Sequence, residues 1–239
     1  MRDMAHAQSK DWNHTNGIDY NEALDQIIVS LREFSEFWVI DHSTTTEEAA
    51  GHTGGNSGKG GDLLYRWGNP QVYGAGSESD RKLFFQHDAQ WNPSGYPGEG
   101  NILVFNNGGD RPDGDYSSVD EVIPPVDEDG QYSLTPGSAF GPEEPIWSYT
   151  AENPQAFFAD HISGAHRLPN GNTLICDGPH GVFLEVTSDK EAVWRYVNPV
   201  TGQGPLMQGD PIPGGRNARE NQVFRTYRYA ADYPAFDGK

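Results

Sequence analysis

The sequence is poor in the features that mark several large classes of protein. It has one cysteine, Cys176, so no disulfide can form within the chain and the redox compartment stays open. No apolar run exceeds a few residues, so no bilayer-spanning helix is expected. The opening stretch MRDMAHAQSKDWNH lacks the apolar core of an export signal, and no signal peptide is expected in this chain. Basic side chains are scarce. Sixteen Lys and Arg against 35 Asp and Glu give a formal charge of −19 with no basic stripe. Nucleic acid and anionic membranes are therefore excluded as expected partners. An anionic substrate would need a local positive pocket against that field, and the eight histidines and a few arginines are its suppliers. Hydrophobic residues make up only 35% of the chain, yet six Trp, eleven Tyr and eleven Phe are too many aromatics for a solvated coil.

What the chain does have is punctuation. Twenty-nine Gly and 17 Pro favour short strands and many turns over long helices. Short segments rich in β-branched and aromatic residues are bounded by Gly, Pro, Asn or Asp. They include FWVID (37–41), DLLYRW (62–67), NILVFNN (101–107), SSVDEVI (117–123), PIWSY (145–149), NTLICD (172–177), VFLEV (182–186), AVWRY (192–196) and QVFRTYRY (222–229). NEALDQIIVSLREF has helical spacing at Leu24, Ile27, Ile28 and Leu31, but a turn followed by the strand QIIVSLR fits the repeats better. Two long polar segments, 43–61 and 124–145, read as loops.

The segments recur. DWNHTNGIDYNEALDQIIVSLR, FFQHDAQWNPSGYPGEGNILVFNN and FFADHISGAHRLPNGNTLICDG each carry a histidine, a turn and an apolar strand. His14, His87 and His161 follow one another at intervals of 73 and 74 residues. The units close alike, in LLYRWGNP, IWSYTAENP and VWRYVNP, with Trp67, Trp147 and Trp194 in the last strand. A repeat of about four strands ending on a Trp describes a β-propeller blade, whose first strand lines the central channel. The expected fold is all-β, a partial propeller of about three to four blades. Its blade-like units are 11–70, 83–150 and 157–199, with a closing strand at 221–230. Two histidines five positions apart, His161 and His166, compete for the chemical role in the third unit. The repeat puts His161 in register with His14 and His87.

These stretches together resemble the bacterial arylsulfate sulfotransferases. DWNHTN (11–16), QHDAQW (86–91), GNILVFNNGGDR (100–111), SGAHRLPNGNTLICDG (163–178), VFLEVTSDKEAVWRYVNP (182–199) and NQVFRTYRYAADYP (221–234) carry the likeness, which covers the C-terminal part of a six-bladed propeller. The resemblance implies transfer of a sulfuryl group from an aryl sulfate to a phenol through a sulfohistidine, with no nucleotide sulfate and no cofactor. It implies His161 as nucleophile, His14 and His87 as sulfate-binding or acid–base residues, and Arg111 as the stabiliser of anionic oxygens. Thr226 and His166 are implied near the substrate. It also implies a periplasmic or secreted protein.

The residue types suit that chemistry. A neutral imidazole is both a nucleophile and a leaving group near pH 7. A second imidazole can move the phenol proton, and arginine offers permanently charged planar donors to sulfate oxygens. Two other readings stay open: a metal held by the three axial histidines, and a non-catalytic propeller piece that acts as a binding module. Three blades do not close a ring alone, so a homo-oligomer that completes the propeller is a further expectation.

Overall fold

The computed structural model describes residues 10–211, 213 and 220–236. Most of the opening stretch read above for an export signal lies outside them. Three four-stranded antiparallel sheets follow one another along the chain, each built from consecutive strands. The first contains β1 (Thr15–Asn21), β2 (Gln26–Leu31), β3 (Glu36–Asp41) and β4 (Tyr65–Trp67). The second contains β5 (His87–Trp91), β6 (Ile102–Asn106), β7 (Ser118–Val122) and β8 (Trp147–Tyr149). The third contains β9 (Gly164–Arg167), β10 (Thr173–Asp177), β11 (Val182–Val186) and β12 (Ala192–Val197). A two-stranded hairpin, β13 (Val200–Thr201) and β14 (Gly204–Pro205), follows. One short helix, α1 (Thr46–Ala49), interrupts the 43–61 loop behind a Thr45–Glu48 capping box. These sheets are the blades of an all-β propeller architecture.

Each strand forms for local reasons. In β2, the alternation of buried and half-buried side chains in QIIVSL settles strand over helix. In β6, ILVFN is buried throughout, as expected of a strand covered on both faces. Tight turns join the strands through left-handed residues, among them Asp25, Ser35, Gly181 and Lys190.

The core lies between sheets. Ile28, Phe37, Tyr65 and Trp67 of the first sheet pack on Ala89, Trp91, Ile102 and Val104 of the second. Leu103, Phe105, Val119 and Tyr149 of the second pack on Ala165, Ile175 and Val186 of the third. The repeated Trp residues tie one unit to the next. Trp67 Nε1 donates to the Pro142 carbonyl, and Trp147 Nε1 donates to that of Ser188, both at 2.8 Å. Trp194 has no following four-stranded sheet among the described residues. It is 41% exposed, over the Arg228 guanidinium.

The innermost strands β1, β5 and β9 lie side by side. Two glycines permit this approach. A Cβ on Gly164 would fall 2.1 Å from Asp88 Oδ2, and one on Gly17 would fall 3.0 Å from Asp88 Cα. Asp88 thus sits between its two neighbouring strands.

The expected closing strand at 221–230 is not a strand. Its Val-Phe-Arg-Thr-Tyr-Arg-Tyr alternation reads as one, but its backbone partners are loop groups and a side chain. Val223 N donates to Gly178 O, Ser163 N donates to Phe224 O, and Arg228 N donates to His166 Nε2. No ladder can grow from that set.

Candidate active site

The candidate site is built where the three innermost strands begin. His14 stands one residue before β1, His87 opens β5, and His161 stands three residues before β9. The single register expected from the repeat is not kept. Bulges at Thr15–Gly17 and His87–Gln90 add a residue to each of the first two strands. In the third unit, left-handed Ile162 and Ser163 turn the chain before the strand starts. Left-handed backbone also occurs at His14, Phe85 and Asp88. Such strain in non-glycine residues, of order 1–3 kcal/mol each, concentrates at functional sites.

The bulges nevertheless bring imidazoles together. The His14 and His87 rings lie 6.3 Å apart, edge to face. His161 joins through the backbone around it. The Asn107 side chain accepts from His87 Nδ1 at 2.7 Å. The same side chain donates to Ala159 O at 2.7 Å and to Ile162 O at 3.1 Å, on either side of His161.

All three rings are held the same way. Nδ1 of His14 bonds Asp11 Oδ2 at 2.6 Å, Nδ1 of His161 bonds Asp160 Oδ1 at 2.6 Å, and Nδ1 of His87 bonds Asn107. An oxygen that only accepts requires a proton on Nδ1, which leaves Nε2 as the lone-pair nitrogen of the neutral ring. His87 is 3% exposed, and burial pushes its pKa down to about 4 against the opposing Asn107 bond. The positive charge of Arg32 adds to that depression. His87 is therefore neutral at pH 7.

The arginines are distributed in a way the sequence did not reveal. Arg111, expected beside the sulfate, is folded back onto its own turn. Its Nε donates to Tyr116 O at 3.0 Å and its Nη2 to Ser118 Oγ at 2.8 Å, with the guanidinium over the Tyr116 ring. Arg32 is the cation that bears on His87. Its guanidinium lies 4.7 Å from the centre of the Phe85 ring and pairs with Glu33, and its backbone N donates to His14 O. Arg81 lies over the same Phe85 ring at 5.3 Å.

Thr226 and His166 belong to a different contact. The His166 ring accepts from Arg228 N and also hydrogen-bonds the Thr226 backbone, so it clasps the 221–229 segment. Burial, with Arg228 nearby, pushes His166 down to about 4. Arg225 of the same segment reaches the other two inner strands. Arg225 pairs with Asp88 at 2.8 Å and donates to Asn16 O at 3.1 Å. Burial lifts the Asp88 carboxyl to about 6, outweighing the Arg225 charge. Asp88 follows His87 in sequence, but its carboxylate faces Arg225. Asp160 does bond its histidine.

Among the described residues, no group of three or more His, Cys, Asp or Glu side chains is placed to share a metal ion. The three-histidine metal reading has no such group to rest on. Nor is any helix among them long and apolar enough to cross a membrane.

Comparison with known families agrees with the sequence resemblance. Residues 2–204 match the family model described as Arylsulfotransferase (ASST), and the chain belongs to that family. Sulfuryl transfer is that family's general chemistry. No curated protein matches. Among solved structures, a protein of unknown function from Bacteroides caccae is 14% identical, with a TM-score of 0.41 over 77% of this chain and 45% of its own. A streptogramin B lyase is 12% identical, with a TM-score of 0.39 over 77% and 41%. Virginiamycin B lyase from Staphylococcus aureus is 11% identical, with a TM-score of 0.38 over 77% and 41%. The chain spans less than half the length of these structures.

Proposed function

We propose that the chain carries the transfer site of an arylsulfate sulfotransferase, which passes a sulfuryl group from an aryl sulfate to a phenol by way of a sulfohistidine. The observation that carries this reading is three imidazoles with Nδ1 fixed and Nε2 left to react, His14 beside His87 and His87 linked through Asn107 to the backbone around His161.

In the first half-reaction, His161 Nε2 attacks sulfur and the aryl O–S bond breaks, so the phenolate leaves and an N–S bond forms. The ring then bears positive charge, because Nδ1 keeps its proton. The Asp160 carboxylate at 2.6 Å offsets that charge. In the second half, the phenol oxygen attacks sulfur, the N–S bond breaks and neutral His161 returns. Charge spread over three sulfuryl oxygens makes positioning and electrostatics the main catalytic terms, as in phosphoryl transfer.

His87 is the proton carrier. An anionic donor beside it favours its protonation, so its Nε2 can give a proton to the leaving phenolate and take one from the acceptor. His14 contacts the sulfuryl oxygens, with Arg32 or Arg111 supplying fixed positive charge; Arg32 is the one whose charge bears on His87 and whose backbone bonds His14. Aryl sulfate and phenol are the proposed small-molecule partners, and a periplasmic or secreted site of action follows the family resemblance.

The test is nitrophenolate release from 4-nitrophenyl sulfate with phenol as acceptor and no nucleotide. Phenol-dependent release that disappears in His161→Ala supports the reading. Release that survives in that variant removes His161 as nucleophile, and no release from folded protein removes the reading for this chain.

A further inference from the structure

We propose that Asn107 is a positioning residue that holds His87 in the Nδ1–H tautomer and thereby confines its exchangeable proton to Nε2. The role of that nitrogen rests on the function proposed above; the tautomer itself does not.

The orientation of the Asn107 amide follows from its surroundings. Its nitrogen end faces two backbone carbonyls, Ala159 O at 2.7 Å and Ile162 O at 3.1 Å, which can only accept. A flipped amide would set an oxygen against both. The oxygen end must therefore face His87, 2.7 Å from Nδ1. A carbonyl-type oxygen accepts, so Nδ1 carries the proton. A second acceptor, Phe85 O at 3.3 Å from the same nitrogen, requires the same tautomer. Asn107 is fully buried, so no water competes for either end.

An amide differs from the carboxylates that hold the other two rings. Asp11 and Asp160 set a carboxylate beside their rings, whereas Asn107 orients its ring without adding charge. Protonation of His87 is thus left to the groups that face it, which are His14, Arg32 and an incoming anion. The proton that shuttles arrives at and leaves from Nε2 alone, and Nδ1–H is never the one transferred.

The experiment uses the full chain with ¹⁵N-labelled histidine rings and no substrate. Long-range ¹H–¹⁵N correlations report which nitrogen of His87 is protonated, with the signal assigned by its loss in His87→Gln. The expected wild-type pattern is protonated Nδ1 and bare Nε2, and protonated Nε2 overturns the proposal. Asn107→Leu removes the acceptor. That variant is expected to lose the single-tautomer signal and about a hundredfold in kcat, with KM changed less than about twofold. An unaltered tautomer there overturns the proposal.

Asn107→Asp serves if the leucine variant does not fold. Its second oxygen meets Ala159 O and Ile162 O, so the carboxyl keeps a proton there while its other oxygen still accepts from His87 Nδ1. His87 is expected to stay protonated on Nδ1 with kcat within about tenfold of wild type, and protonated Nε2 in that variant overturns the proposal. Protonated Nδ1 in a protein without transfer activity upholds the positioning and removes the function. Transfer with protonated Nε2 does the reverse.

Discussion

The second and third sheets share a strand order and a histidine at the same end, yet they live in different surroundings. The second is covered on both faces, and its His87 is buried and oriented by an amide. The third packs on the second with one face, and against its other face lies the 221–229 segment, through Val223 and Arg228. Its outer strand β12 is exposed nearly throughout, and its His161 is half-exposed and oriented by a carboxylate. The difference separates two tasks. Burial without charge keeps an imidazole neutral at pH 7, as a proton carrier requires before substrate arrives. A carboxylate on a more open ring favours the cationic adduct that a nucleophile becomes.

The comparison breaks most sharply at His161. His161→Ala is expected to reduce sulfuryl transfer at least about a thousandfold, read as phenol-dependent nitrophenolate release. Packing gives the next effect. Trp67, 3% exposed at the junction of the first and second sheets, should cost about 3–5 kcal/mol when truncated to alanine, measured by urea unfolding.

Acid should expose the burial of His87. Its folded pKa of about 4 lies below the unfolded value of 6.5, so between those values the unfolded chain binds more protons. The His87 contribution is therefore present above about pH 6.5 and is lost as pH falls toward 4, on the order of 3 kcal/mol in all. Urea unfolding of wild type and His87→Gln at pH 7.5 and 4.5 should show the variant losing less on acidification. His166, also at about 4, gives a like slope that survives in the variant, and Asp88, lifted to about 6, gives the opposite slope in both.

Asp160→Asn should lower kcat about ten- to a hundredfold, equivalent to one or two pKa units of lost charge stabilisation on the His161 adduct. The smallest change is expected at Trp194, 41% exposed on the outer strand of the third sheet with only Arg228 over its ring. Trp194→Ala should move the unfolding midpoint by no more than about 0.5 kcal/mol. A large cost there would mean that this strand is covered in solution.

Much of this was legible in the sequence. The three units, their apolar second strands and the closing Trp residues follow from short-range patterns, because alternation and turn residues act within a few positions. What stayed hidden depends on distant pairs. Asn107 reads as the frayed end of NILVFNN, and only the carbonyls of Ala159 and Ile162 reveal its orientation. Arg225 adjoins Thr226, and nothing local in the sequence points to Asp88, which lies opposite it. The spacing of the histidines suggested equal register, but a bulge shifts a strand by one residue without altering the count between repeats. Arg111 presents the reverse case. A motif match located the residue, while Tyr116 and Ser118, close by in sequence, set where its guanidinium goes.

The clasp between Arg225 and Asp88 has a consequence for biosynthesis. A chain emerging from the ribosome presents all three sheets before Arg225 appears. Until then Asp88 is wedged between Gly17 and Gly164 without its cation. A buried, unpaired carboxyl is held neutral or keeps its neighbours apart. Asp88 meets its cation only when the 221–229 segment arrives, and in a nascent chain that ends before it the carboxyl has only Gln90 and the Ala165 backbone to hold it.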